Sequence, residues 1–241
     1  MSANATSLYA AHPLVTEDTG TQGQGNWQLE VNAEVTRDRA SGVRTRGFQP
    51  AATLSYGATE TLDIQLGRPY LRETSNDGTT RTESNGGLDT ALDFKWRFFE
   101  QEGFSLGLKP GFTFATGRHE AGRGTGRTTF GTLLIASFDQ DNYALHAHLG
   151  VRRNNNDVGE RRTLYQLAVA GMLKIHETTR AILDLSATTN ADPTDSISIR
   201  YATLGVIYSP SKNIDLDLGW RVGIGTPAIN HSLLFGATFR W

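Results

Sequence analysis

The sequence predicts an all-β chain, a transmembrane up-and-down antiparallel β-barrel of 12 strands with short periplasmic turns and longer extracellular loops. Three observations lead there. Apolar and polar residues alternate with a period of two through twelve successive segments of about ten residues. The links between the segments are mostly short and long in turn. The polar parity carries charges at mid-strand, where a dry core would not tolerate them.

Composition excludes the competing classes. Of 241 residues, 38% are hydrophobic and 9% aromatic, with 26 Gly, 29 Thr and 7 Pro, a mixture that favours short strands and turns over helix. No stretch approaches the ~18 consecutive apolar residues of a spanning helix. The aromatic content and a net charge of −2 argue against a disordered chain and against a nucleic-acid partner. Cysteine is absent, which removes disulfides, thiolate metal sites and a cysteine nucleophile. Met1–Asn4 shows neither a basic nor an apolar leader region. The chain is therefore expected either to be cytoplasmic or to begin after a removed signal peptide, and the strand pattern favours the second.

The chain divides into residues 1–26, a periplasmic or lumen-entering segment, and residues 27–241, the barrel. The first segment sets Trp27, Leu29, Val31, Ala33 and Val35 against Gln28, Glu30, Asn32, Glu34 and Thr36. Phe48–Tyr56, Leu62–Leu66, Leu88–Phe98 and Phe104–Phe114 repeat the alternation. So do Phe130–Phe138, Tyr143–Val151, Tyr165–Ile175 and Leu183–Ala187, then Ile197–Tyr208, Ile214–Ile224 and Leu233–Trp241. Two segments have an ambiguous phase, at Thr132-Leu133-Leu134-Ile135 and at Leu204-Gly205-Val206. Residues 57–61, 100–103, 139–142, 177–179 and 209–213 read as tight turns. Arg37–Gly47, Ser75–Gly87, Arg118–Arg127, Arg153–Arg162 and Asn190–Asp195 read as polar loops.

Period two alone does not say which face is inside. Strand number and length suit a bilayer crossed at a tilt. Trp27, Tyr56, Phe98, Phe104, Phe138, Tyr143 and Trp241 fall on the apolar parity beside the short turns, and Phe48, Tyr70 and Tyr165 near the loops, as two interfacial girdles would. The polar parity collects Glu30, Glu34, Asp63, Asp89, Asp93, Asp184, Asp215 and Asp217 with Lys95, Arg97, Lys109, Arg152, Lys174, Arg200, Arg221 and Arg240. These suit a wet lumen. Closure of the barrel is expected to gather Glu30, Glu34, Asp215 and Asp217 into an acidic wall, with Arg200, Arg221 and Arg240 as partners.

His146 and His148 share the polar parity and complete the expected lumen lining. A metal site would need a third ligand, so hydrogen-bonded lumenal histidines are expected and no metal or other cofactor is. No Ser stands beside them on the lipid side, which argues against a nucleophile–base pair and against an enzyme. Asp215 and Asp217 lie about 7 Å apart along one strand face, a spacing that suits acid–base work but fits a lumenal charge ladder better. The glycines of 20–25 and 122–126 lack the Lys-Ser/Thr ending of a phosphate loop. Within residues 1–26, Leu8, Tyr9, Leu14 and Val15 are expected to anchor the segment at or inside the barrel mouth if it is not a free tail.

The last strand, His231–Trp241, ends on an aromatic with Phe239, Ala237, Phe235 and Leu233 at alternate positions behind it. It resembles the C-terminal assembly signal of bacterial outer-membrane proteins, carried here by Phe239 and Trp241. Residues 11–31 (AHPLVTEDTGTQGQGNWQLEV), GRPYLR at 67–72 and YSPSKNIDLDLGWRVG at 208–223 resemble a family of outer-membrane channels described as transporters or as proteins of the meta-pathway of phenol degradation. The resemblance implies a monomeric barrel in the bacterial outer membrane, with membrane lipid and the assembly machinery as partners. It also implies passive uptake of small, often hydrophobic or aromatic, molecules. A structural or adhesive barrel with a closed lumen is the alternative, and a barrel-embedded enzyme a weaker one. The polar, aromatic-poor loops count against adhesion.

Overall fold

The computed structural model describes residues 12–40, 42–225 and 229–241. Its strands are β1 (Trp27–Ala40), β2 (Val43–Gly57), β3 (Leu62–Asn76), β4 (Arg81–Gly87), β5 (Thr90–Gln101), β6 (Phe104–Phe114) and β7 (Thr129–Asp139). They continue as β8 (Tyr143–Arg153), β9 (Thr163–His176), β10 (Thr179–Thr188), β11 (Ile199–Ser211), β12 (Ile214–Gly223) and β13 (His231–Arg240). Successive strands pair antiparallel, except that β5 pairs with β3 and not with β4, and β13 returns to β1 from Gln28↔Arg240 to Arg37↔His231. The backbone seals the seam at its end: Trp27 N–H donates to the Trp241 carbonyl at 2.9 Å and Trp241 N–H to that of Trp27 at 3.1 Å. The sheet thus closes on itself, which leaves unpaired edges only where strands project at the loop end.

β4 and β5 are two parts of one wall strand. β3 pairs with β4 from Tyr70↔Gly87 to Asn76↔Arg81 and with β5 from Leu62↔Trp96 to Gly67↔Ala91. The wall is therefore a closed twelve-stranded barrel interrupted once, at Leu88-Asp89.

The wall is apolar outside and polar inside, the inverse of a soluble barrel. Leu149 is 59% exposed and Leu204 62%, whereas Asp63 and Asp184 are fully buried. A carboxylate hidden beneath an exposed leucine shell has one explanation, a wall solvated by lipid outside and by polar partners inside. Aromatic rings cluster at the turn end, with Trp27 on Tyr56 at 4.6 Å and Phe138 on Tyr143 at 6.2 Å between centroids. Both ambiguous phases resolve: Leu134, Leu204 and Val206 are exposed outside, while Ile135, Thr203 and Ile207 are buried within.

Two expected loops are strands. The register of β1 on β2 continues without a break to Ala40↔Val43, and that of β3 on β4 to Asn76↔Arg81, so residues 37–40 pair with 43–46, and 74–76 with 81–83, beyond the apolar band. Both are rich in Arg, Thr, Ser, Asp and Gly and lack the apolar parity that marks a half-buried strand. With no packed face to reveal them, they look like loops in sequence. Residues 115–128, 154–162 and 189–198 do form loops at that end, the first with a 3-10 turn at His119–Ala121.

Candidate functional site

The lumen is filled by the chain's own residues 12–22. Leu14, Val15, Thr16, Glu17 and Thr19 are buried inside the barrel. Leu14 packs on Ala170, Ile182 and Ile207, with Met172 at the margin, so one sector of the lumen is apolar. Small side chains leave the room: a Cβ on Gly219 would lie 2.8 Å from Pro13, and one on Gly107 3.3 Å from Thr19.

Beside and around that sector runs a polar clasp. The Asp184 carboxylate accepts the N–H of Val15 at 3.1 Å, the N–H of Thr16 at 2.8 Å and the Thr16 hydroxyl at 2.6 Å. Glu17 N–H donates to His148 Nδ1 at 3.0 Å, and Thr19 N–H to Ser137 Oγ at 3.1 Å. Gln22 N–H donates to Asp63 at 3.1 Å, and the His12 ring pairs with Asp217. The Glu17 carboxylate meets Lys95 Nζ at 3.2 Å and Lys109 Nζ at 2.6 Å. An irregular segment buried in a barrel must find partners for its backbone donors. Wall carboxylates, His148 and Ser137 supply them, each charge-assisted bond contributing about 1.5–3 kcal/mol.

Six of the residues expected to line the lumen thus hold the segment: Asp63, Lys95, Lys109, His148, Asp184 and Asp217. Others pair within the wall. Arg221 bonds Glu34 at 3.1 Å, and its guanidinium lies over the Tyr201 ring. Arg240 bonds Asp215 at 2.7 Å and Gln28 at 2.9 Å. Glu30 accepts from Asn32 at 3.0 Å. The expected acidic wall is therefore largely neutralised, and the partner of Asp217 is His12 rather than an arginine. Asp89 accepts the N–H of Gly117 at 2.8 Å and that of Thr125 at 2.9 Å, fixing the 115–128 loop at the break between β4 and β5.

Asp93 and Arg152 face a cavity on the loop side, Lys174 a larger one on the turn side, and Arg97 sits at the turn-side rim against Glu100 at 3.3 Å. Arg200 departs from expectation. It is exposed on the parity of Leu204, outside the lumen, because the inward residues of β11 are Ile199, Tyr201, Thr203 and Ile207. The apolar residues Ile199 and Ile207 on the inward parity hide this phase in the sequence. Phe239 and Trp241 lie outside on the closing strand, Trp241 60% exposed. Of the expected anchors, Leu14 and Val15 lie in the lumen; Leu8 and Tyr9 lie outside the described residues. The roles of His12, Thr16, Glu17 and Thr19 were not visible in sequence, since the segment has no periodicity and the partners of these residues lie 78 to 205 positions away.

The segment divides the lumen. A loop-side cavity of about 210 Å³ has Val15 at its floor and a wall in which Asp93, Lys109 and Arg152 face Leu133, Ile199 and Tyr201. A turn-side vestibule of about 830 Å³ is lined by His12, Leu14, Glu17 and Asp18 together with Lys174 and Asp215. Among the described residues no group of three or more His, Asp or Glu is arranged to hold a metal. His146 Nδ1 bonds Ser137 Oγ at 2.9 Å, but that oxygen is buried and already takes the Thr19 N–H, so the pair is engaged in holding the segment.

A model of the family described as "Putative MetA-pathway of phenol degradation" matches residues 10–241. The chain belongs to this family. The match takes in the occluding segment from residue 12 as well as the whole wall. No curated protein matches the chain. Among solved structures, the COG4313 outer membrane channel from Pseudomonas putida F1 superposes with a TM-score of 0.75 at 13% identity, over 93% of this chain and 98% of that one. The NanC porin superposes with a TM-score of 0.59 at 10% identity, over 88% and 98%. The translocator domain of autotransporter NalP from Neisseria meningitidis gives 0.56 at 11%, over 92% and 91%. These likenesses show the fold that this family member shares with outer-membrane barrels.

Proposed function

We propose that this protein is a monomeric outer-membrane channel for passive uptake of small molecules, hydrophobic or aromatic compounds among them, with residues 12–22 as its constriction. One observation carries the reading: two cavities open toward opposite ends of one lumen, and only a segment bonded side chain by side chain stands between them. The clasp is made of separate polar contacts that water can replace one at a time, so local release of the segment can leave the wall closed. Val15, Leu133, Ile199 and Tyr201 give the loop-side cavity an apolar surface, and Asp93 and Arg152 add orienting charges. The family and the fold of the channel from Pseudomonas putida F1 support the location and the class of activity.

Uptake into proteoliposomes tests the proposal. Small aromatic solutes are expected to enter faster than sugars of similar size. Equal rates with protein-free vesicles for every solute would contradict it.

A further inference from the structure

The outward face of the loop-side hairpins carries a cluster of arginines that neither the lumen nor its constriction uses. In β1 the outward parity runs Val31, Ala33, Val35 and then Arg37 and Arg39; in β2 it runs Leu54, Ala52, Pro50, Phe48 and then Arg46 and Arg44. The register sets Val35 opposite Phe48, Arg37 opposite Arg46, and Arg39 opposite Arg44. Two like-charged pairs therefore face each other directly across the strands, in consecutive rows, just beyond the apolar band. Directly opposed like charges destabilise a β-ladder, so the arrangement costs stability as it stands.

β3 extends the cluster. Arg72 pairs with Phe48 on the same face. Arg68, deeper in the band, runs up that face across Gly87, where a Cβ would sit 2.6 Å from its guanidinium. All six guanidinium groups are exposed, and none has an ion-pair partner among the described residues. The acid on this face, Glu83, is held by Arg81 at 2.6 Å. On the far wall the outermost row holds Arg153 between Phe130 and Thr163, with no second arginine beside it.

We propose that this arc binds the phosphate groups of an outer-leaflet glycolipid, with the acyl chains against Val35, Phe48 and Leu54. Rows about 7 Å apart, with cross-strand neighbours about 5 Å apart, present several guanidinium forks to one multiply phosphorylated head group. Arginine matches phosphate bidentately, and an anion between opposed pairs converts their repulsion into attraction. The apolar residues immediately below place the anion in the head-group layer of a membrane lipid, which commits the site to a lipid source. The site is on the barrel's outside and does not depend on solute passage.

The test titrates the purified, detergent-solubilised protein with bisphosphorylated lipopolysaccharide, its dephosphorylated counterpart and inorganic phosphate, reading bound lipid by native mass spectrometry. The wild-type protein is expected to retain the phosphorylated lipid at least about tenfold better than the dephosphorylated one. R37A/R39A/R44A/R46A is expected to lose that preference while keeping heat-modifiable gel mobility, and R153A to keep it. Should the quadruple variant fail to fold, R39A/R44A at the hairpin tip is expected to show a several-fold loss. Undiminished preference in a folded cluster variant, an equal loss in R153A, or displacement of lipid by equimolar inorganic phosphate would overturn the proposal.

Discussion

Lys109 Nζ lies 2.6 Å from the Glu17 carboxylate, joining the middle of β6 to a residue 92 positions earlier that has no secondary structure of its own. The second oxygen of the same carboxylate takes Lys95 from β5 at 3.2 Å. One side chain of the inserted segment thus pairs with two cations that the wall buries.

Replacing Glu17 with Ala takes its carboxylate from both ammonium groups and leaves Lys95 with Asp18 at 3.5 Å. Breaking a buried pair from one side costs about 3–5 kcal/mol, and water entering the lumen places this case at the lower end. Hydrogen exchange is expected to show lost protection at the amides of Val15, Thr16 and Thr19, with the strands unchanged. Loss of protection along β5 and β6 as well would mean that Glu17 supports the wall itself.

Asp89 has a separate role. Its carboxylate receives two backbone donors from the 115–128 loop, so Asp89→Ala leaves both without a partner at about 1–3 kcal/mol each. The expected result is tryptic cleavage after Arg118, Arg123 or Arg127 several-fold faster than in the parent, with barrel mobility on gels unaltered. Unchanged cleavage would show that the loop is held by other contacts.

Deleting Trp241 removes the outward aromatic at the seam and the backbone pair with Trp27. Much lower levels of assembled protein in the outer membrane are expected, whereas the small fraction that does assemble should melt nearly as the parent does. Parental levels of the truncated chain would contradict an assembly role.

The wall was legible in sequence because a strand between lipid and a polar lumen repeats one contrast every second residue, as in Leu29-Glu30-Val31-Asn32. That contrast fades where both parities are apolar, which is why Ile135 and Ile199 hid the phases of β7 and β11 and why Arg200 was placed inward. It also fades beyond the membrane, where the hairpins around Ser75 and Arg44 have no packed face. The constriction was hardest to foresee. Glu17, Thr16 and His12 have meaning only beside Lys109, Asp184 and Asp217, and these pairings come from barrel closure rather than from any local pattern.

The central claim is that residues 12–22 close an otherwise open lumen. Single-channel recording in planar bilayers of the full chain and of a variant lacking residues 1–22 tests it most directly. The full chain is expected to give small conductance steps and the truncated barrel steps several-fold larger, since its removal joins the two cavities. Identical conductance in both proteins, with the truncated barrel shown to be folded, would contradict the claim.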